Sequence, residues 1–84
     1  MLNVYAAQWC PHCTQTVQYL NKNHIKFAYF EIESQPDDVV QQVVDANGGD
    51  DWVVPTLEYK GIWRPGKIFN EHELQSDLEK MGII

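Results

Sequence analysis

The chain has 84 residues, 44% of them apolar and 12% aromatic, and a net charge of −6. That length holds one domain, residues 1–84, near the lower limit for a core that folds without disulfide or metal staples, and the apolar fraction argues against intrinsic disorder. The acidity argues against nucleic acid or an anionic membrane surface as partner, because both require a basic footprint, and points instead to a basic protein face.

Leu2 to Ala7 is a short apolar run suited to a buried strand. After Pro11 the period changes: Cys13, Val17, Leu20 and His24 recur at helical spacing, with Pro11 placed in the first turn where its missing N–H is no loss. Lys26 to Ile32 is aromatic and β-branched, which predicts a second strand. Ser34 is expected to open the next helix, with Asp37 as capping-box partner and Pro36 in the first turn. Val39, Val40, Val43 and Val44 would form its apolar core face, and Asn47-Gly48-Gly49 its end. Four valines also suit a strand, but their pairing at i and i+4 favours the helix.

Thr56–Tyr59 and Ile62–Arg64 flank Lys60-Gly61, a hairpin signal. Asn70 with Glu73 opens a last helix whose apolar positions are Leu74, Leu78 and Met81, before Gly82 stops it. The order is β-α-β-α-β-β-α. The first crossover implies a parallel pair and the hairpin an antiparallel one, so an α/β fold is expected: a four-stranded mixed sheet flanked by three helices.

No run approaches the roughly 20 apolar residues of a spanning helix, and no secretory signal precedes the first cysteine. A cytoplasmic location is expected. There, two cysteines separated by two residues serve catalysis or metal binding rather than a structural disulfide. Cys10-Pro11-His12-Cys13 holds both cysteines of the chain and lies where the first strand gives way to a helix. The helix N-terminus offers unpaired N–H groups and a positive dipole end, which favour thiolate at Cys10. The Cys13 thiol can donate to that thiolate, and a protonated His12 would add charge and a donor. Such settings bring a thiol from about 8.5 down to roughly 3.5–7.5. Cys13, deeper on the apolar stripe, should keep the higher value. It is therefore expected to resolve the mixed disulfide that Cys10 forms.

WCPHC after the first strand, together with Trp52-Val53-Val54-Pro55-Thr56 before the third, resembles the glutaredoxins of the thioredoxin-fold superfamily. The likeness extends over nearly the whole chain in element order, length and motif spacing. It implies a cytoplasmic thiol–disulfide oxidoreductase acting on protein disulfides or glutathione mixed disulfides, with glutathione as reductant and a monomeric state. It also makes Pro55 a cis-proline facing the cysteines, and Val54 a backbone edge for an extended substrate. The sequence departs from the family pattern at Gln8 (often lysine), at His12 (often tyrosine) and at Arg64-Pro65-Gly66-Lys67, where only Gly66 matches a glycine of the glutathione-binding pair. Trp9 resembles thioredoxins and the mycoredoxin or ribonucleotide-reductase-donor branches, which keeps open an electron carrier recharged by a thioredoxin-type reductase.

Other roles compete. A metal site would need four ligands where the chain has one cysteine pair, and a cluster bridged between two chains through Cys10 is known among glutaredoxins. Trp9 is expected on an exposed rim around Cys10 that docks partners, and Trp52 and Trp63 in packing. Arg64 and Lys67 form the basic cluster nearest the expected site, either solvated on a turn or binding a substrate carboxylate. His24 and His72 are expected at helix ends or on the surface.

Overall fold

A computed structural model describes residues 1–84. Strand β1 (Leu2–Ala6) lies at the centre of the sheet, which explains why it reads as a continuous apolar run rather than an alternating one. It pairs in parallel with β2 (Phe27–Glu31), from Leu2 opposite Phe27 to Ala6 opposite Glu31, and antiparallel with β3 (Thr56–Tyr59). Strand β4 (Ile62–Arg64) closes the order β2-β1-β3-β4. This is the expected mixed sheet. Lys60 and Gly61 take φ of 50° and 82°, so the two-residue turn between β3 and β4 is left-handed at both positions and matches the twist of the strands it joins.

Helix α1 (Pro11–Lys22) begins with its proline in the first turn. Its buried face is Cys13, Thr16, Tyr19 and Leu20 rather than the expected Cys13, Val17, Leu20 and His24. Thr16 can be buried because its hydroxyl donates to the His12 carbonyl at 2.8 Å. His24 lies outside the helix, in a left-handed conformation at φ 57° that lets the Ile25 N–H reach back to the Leu20 carbonyl at 2.9 Å.

Helix α2 (Asp37–Ala46) starts later than the Ser34 capping box predicts. Ile32–Ser34 forms a 3₁₀ turn, and Pro36 forces Gln35 into extended backbone at φ −88°, ψ 151°, so helical geometry begins only after the proline. Asp37 and Asp38 then sit on the positive end of the helix. Of its four valines only Val43 is fully buried; Val39 and Val40 pack against the core and Val44 is half-buried. The register of this helix spreads four branched residues over a wider arc than the buried stripe.

Helix α3 (Glu71–Lys80) is capped by Asn70, whose Oδ1 accepts the Glu73 N–H at 2.9 Å. Leu74, Leu78 and Met81 are buried as the pattern predicts. The layers follow from contacts between elements. Burial, with the charges of Glu71 and Glu79 of α3 added to it, raises the phenol pKa of Tyr19 on α1. The Arg64–Asp77 ion pair draws α3 over the sheet face that carries Leu57 and Val4. On the other face Tyr5 stacks with Phe30 at 5.3 Å and with Trp63 at 5.8 Å, and Trp63 borders Gln42, Asp45 and Ala46 of α2. No helix is long and apolar enough to cross a membrane.

Candidate active site

Cys10 is the N-cap of α1, with extended backbone at φ −88°, ψ 116°. Its Sγ accepts the Cys13 N–H at 3.3 Å, taking the place that a serine or aspartate oxygen usually fills at a helix start. The strand-to-helix turn is held by the Cys10 N–H on the Ala7 carbonyl at 3.1 Å. The Cys10 thiol faces the Val54 carbonyl at 3.9 Å, and the Val54–Pro55 peptide is cis. Both cysteines are free and recessed, Cys10 at 5% exposure and Cys13 at 2%. Burial above all, then the hydrogen bond to Cys10 and the charges of Cys10 and Glu31, push the Cys13 thiol up to about 12, against a lowering contribution from the Ala7 backbone.

The residues before Cys10 are fixed by two glutamates for which the sequence gives only a positional hint. Ala6 pairs with Glu31, so the parallel register delivers the end of β2 to the motif. Glu31 Oε1 accepts the Gln8 N–H and the Tyr29 hydroxyl, each at 3.1 Å. Burial, followed by that bond and the Glu31 charge, raises the Tyr29 phenol to about 12. Glu33 accepts the Trp9 indole N–H at 2.6 Å, which holds an indole that is 65% exposed. Trp9 thus stands on the surface beside Cys10, tethered rather than free. A shallow depression of about 240 Å³ reaches Cys13 between Ala7, Gln8, Val17 and Tyr29.

His12 Nδ1 accepts the Phe69 N–H at 3.1 Å, which ties the loop between β4 and α3 to the CPHC motif. Pro11 is exposed at the helix start.

That loop and the end of α2 enclose the cis-proline segment. Asn47, read from the sequence only as a helix end, donates Nδ2 to the Val43 carbonyl at 2.8 Å and to Thr56 Oγ1 at 2.9 Å, and its Oδ1 accepts the Gly66 N–H at 2.7 Å. Thr56 Oγ1 in turn donates to the Val53 carbonyl at 2.6 Å. Gly66 packs directly on Val53: a Cβ there would stand 2.7 Å from the Val53 Cβ and 2.9 Å from its carbonyl carbon. Gly66 is therefore a glycine of close approach, with its N–H already engaged.

Arg64 and Lys67 share a partner within the chain. Both converge on Asp77 Oδ2, at 2.7 and 2.9 Å, and Arg64 is only 5% exposed. The carboxylate this basic pair holds is the chain's own. Burial acts to raise the Asp77 carboxyl, but the hydrogen bonds and charges of Arg64 and Lys67 outweigh it and leave its pKa below the ordinary value. A depressed pKa contributes stability above the ordinary aspartate value of about 3.9, and that contribution is lost as pH falls through the folded value. Asp77→Asn should therefore be less stable than wild type by about 1.5–3 kcal/mol at pH 7, with the gap closing as pH falls below about 4. Urea unfolding at both pH values checks this; a gap that stays constant contradicts it.

No group of three or more His, Cys, Asp or Glu side chains is arranged to hold a metal ion. No curated protein sequence matches the chain. Among solved structures it is similar to the glutaredoxin grx-1 of Archaeoglobus fulgidus, with a TM-score of 0.70 and 23% identity over 89% of this chain and 82% of that one. It is similar to a thioredoxin-like protein at a TM-score of 0.69 and 22% identity, covering 90% of this chain and 97% of the other. A wheat glutaredoxin gives 0.62 and 20%, covering 94% of this chain and 70% of the other. At these identities the structures establish the thioredoxin-like fold. The Glutaredoxin family model matches residues 2–62, well over half of the chain, and by that match the chain belongs to the glutaredoxin family.

Proposed function

We propose that this protein is a thiol–disulfide oxidoreductase in which Cys10 attacks and Cys13 resolves. Family and fold support the reaction class. The observation that carries the assignment of roles is the position of Cys10 Sγ, at the start of α1, 3.3 Å from the Cys13 N–H and opposite the Val54 carbonyl. Donor and helix end together stabilise negative charge on the attacking sulfur.

The Cys10 thiolate displaces one sulfur of a substrate disulfide. The old S–S bond breaks, the leaving thiolate takes up a proton, and Cys10 is left in a mixed disulfide. Cys13 then loses its proton and attacks Cys10 Sγ, which releases the second substrate thiol. The product is a Cys10–Cys13 disulfide, and two electrons have passed to the substrate. The cause of the high Cys13 pKa gives this sequence its order. Part of that elevation comes from the Cys10 sulfur itself, through a hydrogen bond and charge. Forming the mixed disulfide removes the Cys10 contribution, so Cys13 gives up its proton more readily after the first step, while the larger effect of burial remains.

Glutathione is the proposed reductant on family grounds. A second reading, recharging by a thioredoxin-type reductase, is favoured by one observation: Arg64 and Lys67, the basic pair available near the β4–α3 loop, are already engaged by Asp77. NADPH oxidation coupled through glutathione and its reductase, compared with thioredoxin reductase, separates the two. Turnover in either coupled system supports the oxidoreductase assignment, and none in both contradicts it. The substrates proposed are disulfide-bearing proteins and glutathione mixed disulfides, in the reducing cytoplasm.

Val54 is the proposed docking edge. Its N–H enters no backbone hydrogen bond within the chain, its carbonyl lies 3.9 Å from Cys10 Sγ, and it precedes the cis-proline. An extended substrate can pair there as an added strand would.

A further inference from the structure

Asn47 is remote in sequence from the CPHC motif, and no part of the exchange chemistry uses it. Its amide is nonetheless saturated in one orientation. The oxygen holds the Gly66 N–H at 2.7 Å, and the nitrogen holds the Val43 carbonyl at 2.8 Å and Thr56 Oγ1 at 2.9 Å. One half-buried side chain thus joins the end of α2, the start of β3 and the β4–α3 loop. Two of them touch Val53-Val54-Pro55 directly: Thr56 follows Pro55 and bonds the Val53 carbonyl, and Gly66 packs on Val53.

Each anchor bears on that segment. Thr56 is fully buried and donates its hydroxyl to the Val53 carbonyl, and the bond from Asn47 leaves Oγ1 free to do so. Gly66 lies against Val53 with no room for a methyl group. The same loop is tied to the motif itself by the Phe69 N–H on His12. The position of Val54 relative to Cys10 is therefore set by a polar clamp centred on Asn47.

We infer that Asn47 is a positioning residue for substrate docking: it holds the Val53–Pro55 edge at the height at which a bound disulfide meets Cys10. The inference rests on the proposed role of Val54 as docking edge. It separates two quantities that a purely structural role would move together. Docking should depend on Asn47, whereas the intrinsic reactivity of Cys10, set by the helix start and the Cys13 N–H, should not.

The test uses the full chain and a peptide disulfide as substrate, with alkylation of reduced Cys10 by iodoacetamide as the docking-independent readout. Asn47→Ala removes all three bonds. Asn47→Asp keeps the volume and the acceptor for Gly66 but loses both donors, and provides the reading should the alanine variant fail to fold. Either variant is expected to lower kcat/KM for the peptide about ten-fold, mainly through KM, while the alkylation rate changes by less than about two-fold. Thr56→Val should give the same split, and combining it with Asn47→Ala should add little, because both act through one segment. Unchanged peptide kinetics in a folded variant would overturn the inference, as would an alkylation rate that falls as far as kcat/KM. Absence of exchange by the wild-type protein is a different result and counts against the proposed function instead.

Discussion

Cys10→Ser should abolish disulfide reduction, lowering kcat/KM by at least about 10³-fold, because a serine hydroxyl at this position is neither ionised nor able to exchange with a disulfide. The fold should tolerate the change. Serine is a good N-cap, and its oxygen can accept the Cys13 N–H that Cys10 Sγ now holds at 3.3 Å. Loss of activity with an unchanged unfolding midpoint is therefore the expected pair of results. Cys13→Ser should behave differently. The first attack needs only Cys10, the Cys13 backbone N–H and the helix end, all of which survive, so the variant should form a mixed disulfide and fail to release it. Full disulfide reductase activity in Cys10→Ser would remove the basis of the proposed mechanism.

Gly66→Ala should destabilise the protein through steric overlap, which none of the other four glycines would meet. The added Cβ meets the Val53 Cβ at 2.7 Å and its backbone carbon at 2.9 Å, and backbone cannot swing aside as a side-chain tip can. Overpacking of this kind costs about 1–3 kcal/mol, or roughly 4–20 °C in Tm for a domain of this size. Relief by displacement would push Val53 and Val54 relative to Cys10, so peptide-disulfide turnover should fall as well. Gly61→Ala is the informative control. Gly61 has open space around it, and its φ of 82° makes the substitution strained for conformational reasons alone. It should lower Tm without affecting the ratio of peptide turnover to Cys10 alkylation, whereas Gly66→Ala should change both. Thermal unfolding and parallel kinetics distinguish them, and a Gly66→Ala protein as stable as wild type would contradict the close packing.

The features that were legible in the sequence are those that local pattern encodes. The period change at Pro11, the Asn70 cap and the Lys60-Gly61 turn each state a backbone preference within a few residues, and the elements formed there. The pairing of WCPHC with VVPT was legible only through the resemblance to the glutaredoxins, since neither the crossover nor the hairpin states that β3 pairs with β1. Where the reading failed, a non-local or steric term decided. Pro36 delayed α2 by constraining Gln35, which a capping pattern does not weigh. Thr16 entered the buried face of α1 through a hydrogen bond that a hydrophobic count treats as unfavourable. The internal partners of His12 and Arg64 were not legible, for a common reason. Their partners, the Phe69 N–H and Asp77, lie 57 and 13 residues away, and nothing in the local sequence indicates that these groups are already engaged. Glu31, Glu33 and Asn47 were overlooked because a strand-end acid or a helix-end asparagine is ordinary, and only the fold brings them to the motif.

The central claim is that Cys10 is the attacking sulfur and Cys13 the resolving one. It is tested most directly by incubating reduced Cys13→Ser protein with a peptide disulfide and locating the adduct by peptide mapping and mass spectrometry. The account predicts a stable, stoichiometric mixed disulfide on Cys10, with none formed by the Cys10→Ser variant under the same conditions. An adduct on Cys13 in Cys10→Ser, formed as fast as the one on Cys10, would contradict it.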